Sequence, residues 1–366
     1  MASDEKFMRR ALKLALKGTG RVSPNPRVGC VITRDEEIIA EGWHREFGGP
    51  HAEIEAIRNA GMDDFSGCTM YVTLEPCSHE GKTPPCAPVV AEAGFSRVVI
   101  GMEDPNPQVQ GSGIQMLKER GIEVETGILE EECRWVNRFF IKNVTTGLPY
   151  VMLKVAQSLD GCLATARGES KWITGEESRR RAHMLRAEFD AVLVGSGTAQ
   201  KDDPSLTVRN VKGRNPYRIV VDTNLSLPLN LNLFKENGRG RTIICFKKAL
   251  ASSRKAENLK MAGINLLPVP ADFEEKINIT NMLYELSEQF NIASIMIEGG
   301  PEIHSSFLKD GLADELQLFI APKVIGKGMH AFGQHSIYFL EQAPGFDIKS
   351  VSRSGDDIHI IAVKKG

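Results

Sequence analysis

Two stretches, GPHAEIEAIRNA at residues 49–60 and TLEPCSHEGKTPPC at residues 73–86, decide how the first half of this chain is built. Together they offer His51, Cys77 and Cys86 as metal ligands and Glu53 as an acid or base. Zinc that does chemistry takes three protein ligands and keeps a fourth position for water, whereas structural zinc is closed by protein on all sides. One imidazole and two thiolates suit the open case. The two thiolates cancel the ion's double charge, and water on such a site titrates near pH ~7. His51 and Glu53 stand so close in sequence that in mid-helix they would point to nearly opposite sides. They share one ion only at a helix mouth, where a proline such as Pro50 is favoured. Pro76-Cys77, after a strand at Met70–Thr73, repeats the arrangement, and a thiol at a helix N-terminus is easily deprotonated. The rival arrangement is a structural zinc site closed by His79, which would make the chain a zinc-stabilised binding module.

Outward from these stretches, Phe7, Ala11, Leu14 and Ala15 recur at helical spacing within Asp4–Lys17, which predicts a first helix. Strands at Val28–Thr33 and Glu37–Gly42 meet at Arg34-Asp35-Glu36. The metal helix runs from His51 toward Ala60. Beyond Cys86 come a helix to Ala93, a strand at Arg97–Ile100, a helix at Ile114–Arg120 and a strand at Ile122–Thr126. This alternation predicts an α/β half with a sheet between helices and the metal at strand-to-helix junctions. The turn-rich segment Gly101–Pro107 leaves a strand at its C-terminal end, where open α/β sheets place ligands. Residues Arg138–Pro149 read as a connector, because Thr-Thr-Gly-Leu-Pro breaks the periodicity. The expected domains are therefore 1–146 and 147–366.

The second half alternates again. Strands are expected at Tyr150–Ala156, Ala191–Gly195, Tyr217–Asp222, Arg241–Phe246, Asn265–Pro268, Ser294–Ile297, Glu315–Ile320 and Ile358–Val363. Helices are expected at Ser253–Met261, Ile279–Phe290 and Glu302–Lys309, with another reaching Phe189 behind a capping box of Thr174 and Glu177. Two strands run into glycines, at Gly195-Ser196-Gly197 and at Glu298-Gly299-Gly300-Pro301, and bring bare backbone N–H groups toward whatever binds there. The second leads into a helix N-terminus, a ready phosphate site.

Composition narrows the class. The 366 residues are 42% hydrophobic and 25% charged with a formal net charge of −2, which gives no field for holding a polyanion such as nucleic acid. No apolar run approaches the ~18 residues of a membrane span. Seven cysteines, an odd number, do not make a disulfide framework, and without a signal peptide the expected compartment is the cytoplasm.

His-x-Glu followed by Pro-Cys resembles the zinc-dependent nucleobase deaminases, whose signature has two residues between its cysteines where this chain has eight. The longer form, with Pro24-Asn25-Pro26, resembles one branch, the bifunctional pyrimidine deaminase/reductases of riboflavin biosynthesis. That resemblance continues through Lys154–Gly161, Gly195–Thr198, Asp202–Pro204 and Glu298–Pro301. It implies a cytidine-deaminase-like three-layer α/β/α domain followed by an α/β domain similar to dihydrofolate reductase. It implies one Zn2+ per chain, NADPH, a small phosphorylated pyrimidine as substrate, and self-association through the reductase half. Pyrimidine and ribose-phosphate contacts carry over to Asn25, His44, His79, Lys82, Asp104 and Asn106. Cofactor contacts carry over to Ala156, Trp172, Thr198, Asp202, Thr223 and the turn of Gly300, Pro301, Glu302, Ile303, His304, Ser305 and Ser306. Substrate contacts of the reductase carry over to Ser170, Arg186, Leu206, Arg209 and Glu298, the arginines suiting a phosphate by bidentate pairing. Lys154 is expected to face charge on the opening sugar and Asp202 to position it or transfer a proton. A nucleic-acid-editing deaminase with an accessory domain is the alternative, opposed by the missing basic excess and the wide cysteine spacing.

Overall fold

The computed structural model describes residues 2–80, 84–107, 109–235, 240–333 and 336–365, and the chain forms two compact units, Met1–Leu148 and Pro149–Gly366. The first contains α1 (Ala2–Ala15), β1 (Gly29–Arg34), β2 (Glu37–Trp43), α2 (Ala52–Ala60), β3 (Cys68–Val72), α3 (Cys86–Glu92), β4 (Arg97–Ile100), α4 (Ser112–Glu119), β5 (Glu123–Thr126), α5 (Glu130–Val136) and α6 (Arg138–Thr146). Its sheet runs β2-β1-β3-β4-β5, with β1 antiparallel to β2 and β3, and with β3, β4 and β5 parallel. The β1–β2 turn holds Asp35 and Glu36 at φ 51° and 60°, the twist a tight hairpin needs.

Two glycines set the layers. A Cβ on Gly29 would sit 2.0 Å from the Ala11 carbonyl of α1, and one on Gly42 would sit 2.3 Å from the Ala52 carbonyl of α2. Gly29 neighbours Cys30, which pairs with Gly42, and successive strand residues face opposite sides. Helices α1 and α2 therefore press on opposite faces of the sheet, giving three layers. On its side α1 buries Phe7, Met8 and Leu14, each contributing roughly 1.5–3 kcal/mol of transfer free energy. The expected connector is corrected: residues Arg138–Thr146 are helix, which stops only at Gly147 with φ 73°.

The second unit contains β6 (Tyr150–Ser158), β7 (Cys162–Thr165), α7 (Glu176–Glu188), β8 (Ala191–Gly195), α8 (Ser196–Asp202), β9 (Tyr217–Val221), β10 (Thr242–Lys247), α9 (Arg254–Met261), β11 (Asn265–Val269), α10 (Ile279–Phe290), β12 (Ser294–Ile297), α11 (Pro301–Lys309), β13 (Glu315–Ala321), β14 (Gly328–His330), β15 (Phe346–Ser354) and β16 (Asp357–Lys364). Nine strands form one sheet in the order β11-β10-β9-β8-β12-β6-β13-β16-β15, parallel as far as β13 and antiparallel through β16 and β15. Strands β8, β9, β10 and β12 are mostly apolar and buried, as strands covered on both faces should be, whereas β13 alternates buried with half-buried residues and buries the polar Glu315 and Gln317.

The capping box expected before α7 is also corrected. Gly175 is the N-cap, and no side chain from its own segment caps the helix. The acceptor is the buried Asp357 carboxylate from the β15–β16 hairpin, which takes the Gly175 N–H at 2.8 Å and the Ser178 hydroxyl at 2.5 Å. A partner 182 residues away in sequence leaves no local pattern.

Candidate active sites

In the first unit, His51 is the N-cap of α2, held just outside the helix at φ −75° and ψ 164°. Cys86 opens α3, while Cys77 lies in the irregular segment between β3 and α3. The helix N-terminus expected at Cys77 thus belongs to Cys86, whose backbone N–H donates to the Cys77 sulfur at 3.3 Å. His51 Nδ1 stands 3.5 Å from Cys77 Sγ and 3.2 Å from Cys86 Sγ, and the three donor atoms lie within 4.8 Å of one another. One imidazole nitrogen and two sulfurs converging this closely fit zinc. The Cys86 thiol and the His51 ring hold the Cys77 thiol below its ordinary value, which favours a thiolate ready for a cation. His79 is exposed and stands outside this cluster, so it does not close the site as a fourth ligand.

Glu53 lies in the first turn of α2, 3% exposed. Burial pushes its carboxyl up to about 7 against the opposing pull of His51. A group at that value exchanges protons efficiently near neutral pH.

The surrounding residues brace one another. His44 Nδ1–H donates to the Pro50 carbonyl at 2.9 Å, which leaves Nε2 to accept from Asn25 Nδ2 at 3.3 Å. Burial lowers the pKa of His44, consistent with a neutral ring edge-on to His51 at 5.3 Å. Asp104 is buried and accepts the Asn106 N–H at 2.9 Å, which shapes the loop after β4. Burial raises the Asp104 pKa, with the charges of Glu75 and Cys77 adding to it and that of His79 opposing, so this loop lies beside the metal ligands. Lys82 falls outside the described residues. The sequence reading passed over Glu75, a buried carboxylate in the same Pro-Cys stretch.

In the second unit the expected residues gather at the C-terminal ends of four adjacent strands, β9, β8, β12 and β6, where α/β sheets bind ligands. Thr223 follows β9, Thr198 sits in α8 directly after β8, Glu298 and Gly300 follow β12, and Lys154 and Ala156 lie on β6. The two glycine turns divide their work. Cβ atoms on Gly195 and Gly299 would meet Ile303 at 2.9 and 3.0 Å, so these two glycines admit α11 against the sheet and not a ligand. Gly197 is open, and a Cβ on Gly300 would come 3.3 Å from Thr198 Oγ1. The N-terminus of α11 therefore opens beside Thr198, and the buried Ser305 hydroxyl within it lacks a partner among the described residues. Bare N–H groups at a helix mouth fit the diphosphate of a dinucleotide. His304 is buried, Ile303 and Ser306 partly so, and Pro301 and Glu302 are nearest the helix mouth.

Arg186 does not offer its fork to a phosphate. Its Nε and Nη2 donate to Glu298 at 2.6 and 2.9 Å, and its Nη1 to the Thr207 carbonyl at 3.1 Å. Burial alone would raise Glu298, but Arg186 and Lys154 together draw it down to about 2. Lys154 in turn is lowered by its burial and by Arg186, with Glu298 opposing. Arg209 remains exposed, its backbone N–H on His183 Nδ1 at 3.2 Å. Leu206 is buried with φ 49°, while Ser170 and Asp202 are partly exposed and Trp172 is 65% exposed, stacked under the Arg179 guanidinium at 4.8 Å.

Comparison with known proteins separates the same two units. The model of the RibD C-terminal domain matches residues 149–360, and that of the cytidine and deoxycytidylate deaminase zinc-binding region matches residues 1–102. The riboflavin biosynthesis protein RibD of Aquifex aeolicus is 43% identical over 98% of this chain and 97% of its own length. The chain belongs to the RibD family. Its Escherichia coli member is 40% identical over 97% of this chain and 98% of its own. Among solved RibD structures, that of Acinetobacter baumannii superposes with a TM-score of 0.89 at 37% identity, covering 100% of this chain and 99% of its own. The deaminase/reductase of Thermotoga maritima superposes at 0.88 with 40% identity and the same coverage. RibD proteins use zinc in the first unit and NADPH in the second, and the donor set and the open helix mouth fit each group.

Proposed function

We propose that this chain performs two consecutive steps of riboflavin biosynthesis. The first unit hydrolyses the 2-amino group from 2,5-diamino-6-ribosylamino-4(3H)-pyrimidinone 5′-phosphate, releasing ammonia. The second reduces the ribosyl chain of the product to ribityl. The observation that carries the reading is the convergence of His51, Cys77 and Cys86 beside the buried carboxyl of Glu53. When bound there, zinc supplies the Lewis acidity that makes water a nucleophile near neutral pH. Glu53 takes the water proton and delivers protons to the ring nitrogen and the departing amine. Asn25, His44, Asp104 and Asn106 hold the pyrimidine, with His79 and Lys82 toward its phosphate.

In the second unit NADPH supplies the hydride, and the α11 mouth with Thr198, Thr223, Ala156 and Trp172 holds it. Lys154 faces the charge that develops as the sugar ring opens, and Asp202 positions it. Arg186 fixes Glu298 toward the substrate, which leaves Arg209, Ser170 and Leu206 to meet the phosphorylated end. Domains divide near residue 146, the chain self-associates through the second unit, and its free, mostly buried cysteines suit a reducing cytoplasm. No helix of the described residues is long and apolar enough to cross a membrane.

The test supplies the diaminopyrimidine phosphate and NADPH to the purified chain and follows ammonia and NADPH oxidation together. Ammonia without NADPH oxidation, or neither, defeats the two-step reading.

A further inference from the structure

Glu75 is buried, 4% exposed, two residues before the ligand Cys77, yet it reaches neither the metal ligands nor open solvent. Its carboxylate is spent on backbone. Oε2 accepts the N–H groups of Asp104 at 3.0 Å and Gly111 at 3.1 Å, and Oε1 accepts those of Gly113 at 2.9 Å and Ile114 at 3.2 Å. An ionised carboxylate has about four lone-pair positions. All four are filled.

The donors come from two places. Asp104 heads the loop that carries Asn106, whereas Gly111, Gly113 and Ile114 are the N-cap and first turn of α4. The α4 N-cap has no side-chain cap of its own, so Glu75 supplies one from across the fold. Further contacts join the Glu75–Ser78 segment to the chain just past the end of β4 and to α4. The Glu75 N–H donates to the Met102 carbonyl at 2.9 Å, and the Ser78 and Ser112 hydroxyls meet at 2.6 Å. A Cβ on Gly113 would lie 2.1 Å from the Pro76 carbonyl, so α4 rests directly on the segment that ends in Cys77.

We infer that Glu75 is a positioning residue for the deamination site, clamping the Cys77 segment to the Asp104–Asn106 loop so that metal and pyrimidine are held in one register. A loop at that site gains nothing from being merely folded; it must sit within a fraction of an ångström of its place. The inference rests on the deaminase reading of the first unit, and its readouts include two that do not need activity.

Glu75→Gln is the diagnostic change, because the amide is isosteric but turns two acceptor positions into donors facing N–H groups. The expected result is a rise of about 10- to 100-fold in the KM for the diaminopyrimidine phosphate, the scale of a small misplacement. Bound zinc, read by atomic absorption, and reduction of the separately supplied deaminated substrate stay at wild-type levels. Amide hydrogen exchange at Asp104, Gly111, Gly113 and Ile114 speeds up at least tenfold while that of β1 and β3 is unchanged. Glu75→Asp, which keeps the charge but shortens the reach, gives an intermediate KM and decides the matter if the Gln variant does not fold. Unchanged KM in whichever variant folds overturns the inference, and so does loss of zinc in step with loss of activity, which would make Glu75 only a support for the metal ligands. If the wild-type chain releases no ammonia at all, the deaminase reading fails instead, and the exchange data alone then judge the clamp.

Discussion

Glu53 owes its acid–base character to position. It stands in the first turn of a helix whose N-cap is a metal ligand, and its burial lifts it to about 7. A buried amide of the same shape keeps the packing and loses the proton transfer. Glu53→Gln is therefore expected to hold zinc at wild-type stoichiometry while ammonia release falls by ~10²- to 10⁴-fold, the usual worth of a positioned acid or base. Metal analysis and an ammonia assay on one preparation check it; loss of the metal would make Glu53 a ligand. At this scale the sequence was informative wherever chemistry depends on residue type. His51, Cys77 and Cys86 stand out because few side chains bind zinc. Glu75 was invisible because its partners are backbone N–H groups, which carry no letter, and the Arg186–Glu298 pair because it joins residues 112 positions apart.

Among elements, the apolar strands were legible and the exposed or tertiary-stabilised pieces were not. Strands β3, β8 and β12 are short, mostly apolar runs, so period and composition agree. Strand β15 is exposed along nearly all its length and reads as a polar loop. Helix α6 begins RFFIKNV, where β-branched and aromatic residues weaken helix propensity, and its breaker sequence marks only the end. Helix α8 starts Ser-Gly after a strand, so its glycine masked it. The same glycine turns show what spacing alone misassigns: Gly195 and Gly299 serve Ile303 on α11, and Gly300 faces Thr198. Gly300 has φ −75° and ψ −179°, which any residue adopts, so its constraint is steric. Gly300→Val is expected to raise the KM for NADPH by about tenfold, ~1.4 kcal/mol of binding, and to leave ammonia release unchanged. Steady-state kinetics of both activities on one variant check it, and unaltered NADPH kinetics would remove this turn from the cofactor site.

For the whole molecule, the formal net charge of −2 gives no field for a polyanion, and the macromolecular question the fold can address is association with a second copy. The feature that bears on it is the β15 edge of the nine-stranded sheet. Strand β15 lies at that edge with Ile348 66% and Val351 62% exposed, and Tyr338 and Leu340 in the preceding segment are 84% and 89% exposed. An unpaired edge offers a row of N–H and C=O groups, and apolar side chains upon it favour pairing with another chain. We propose that any self-association of the second unit uses this edge, where two copies related by a twofold axis would cover the same residues on each other. Placing charge there should cost little in the monomer, because these side chains are already in water, and much in the dimer, where like charges would face one another. Ile348→Glu combined with Val351→Glu is accordingly expected to halve the mass measured by light scattering at micromolar concentration, with zinc content and ammonia release retained. An unchanged mass for the double variant, or a wild-type chain that is already monomeric, would place the contact elsewhere or nowhere.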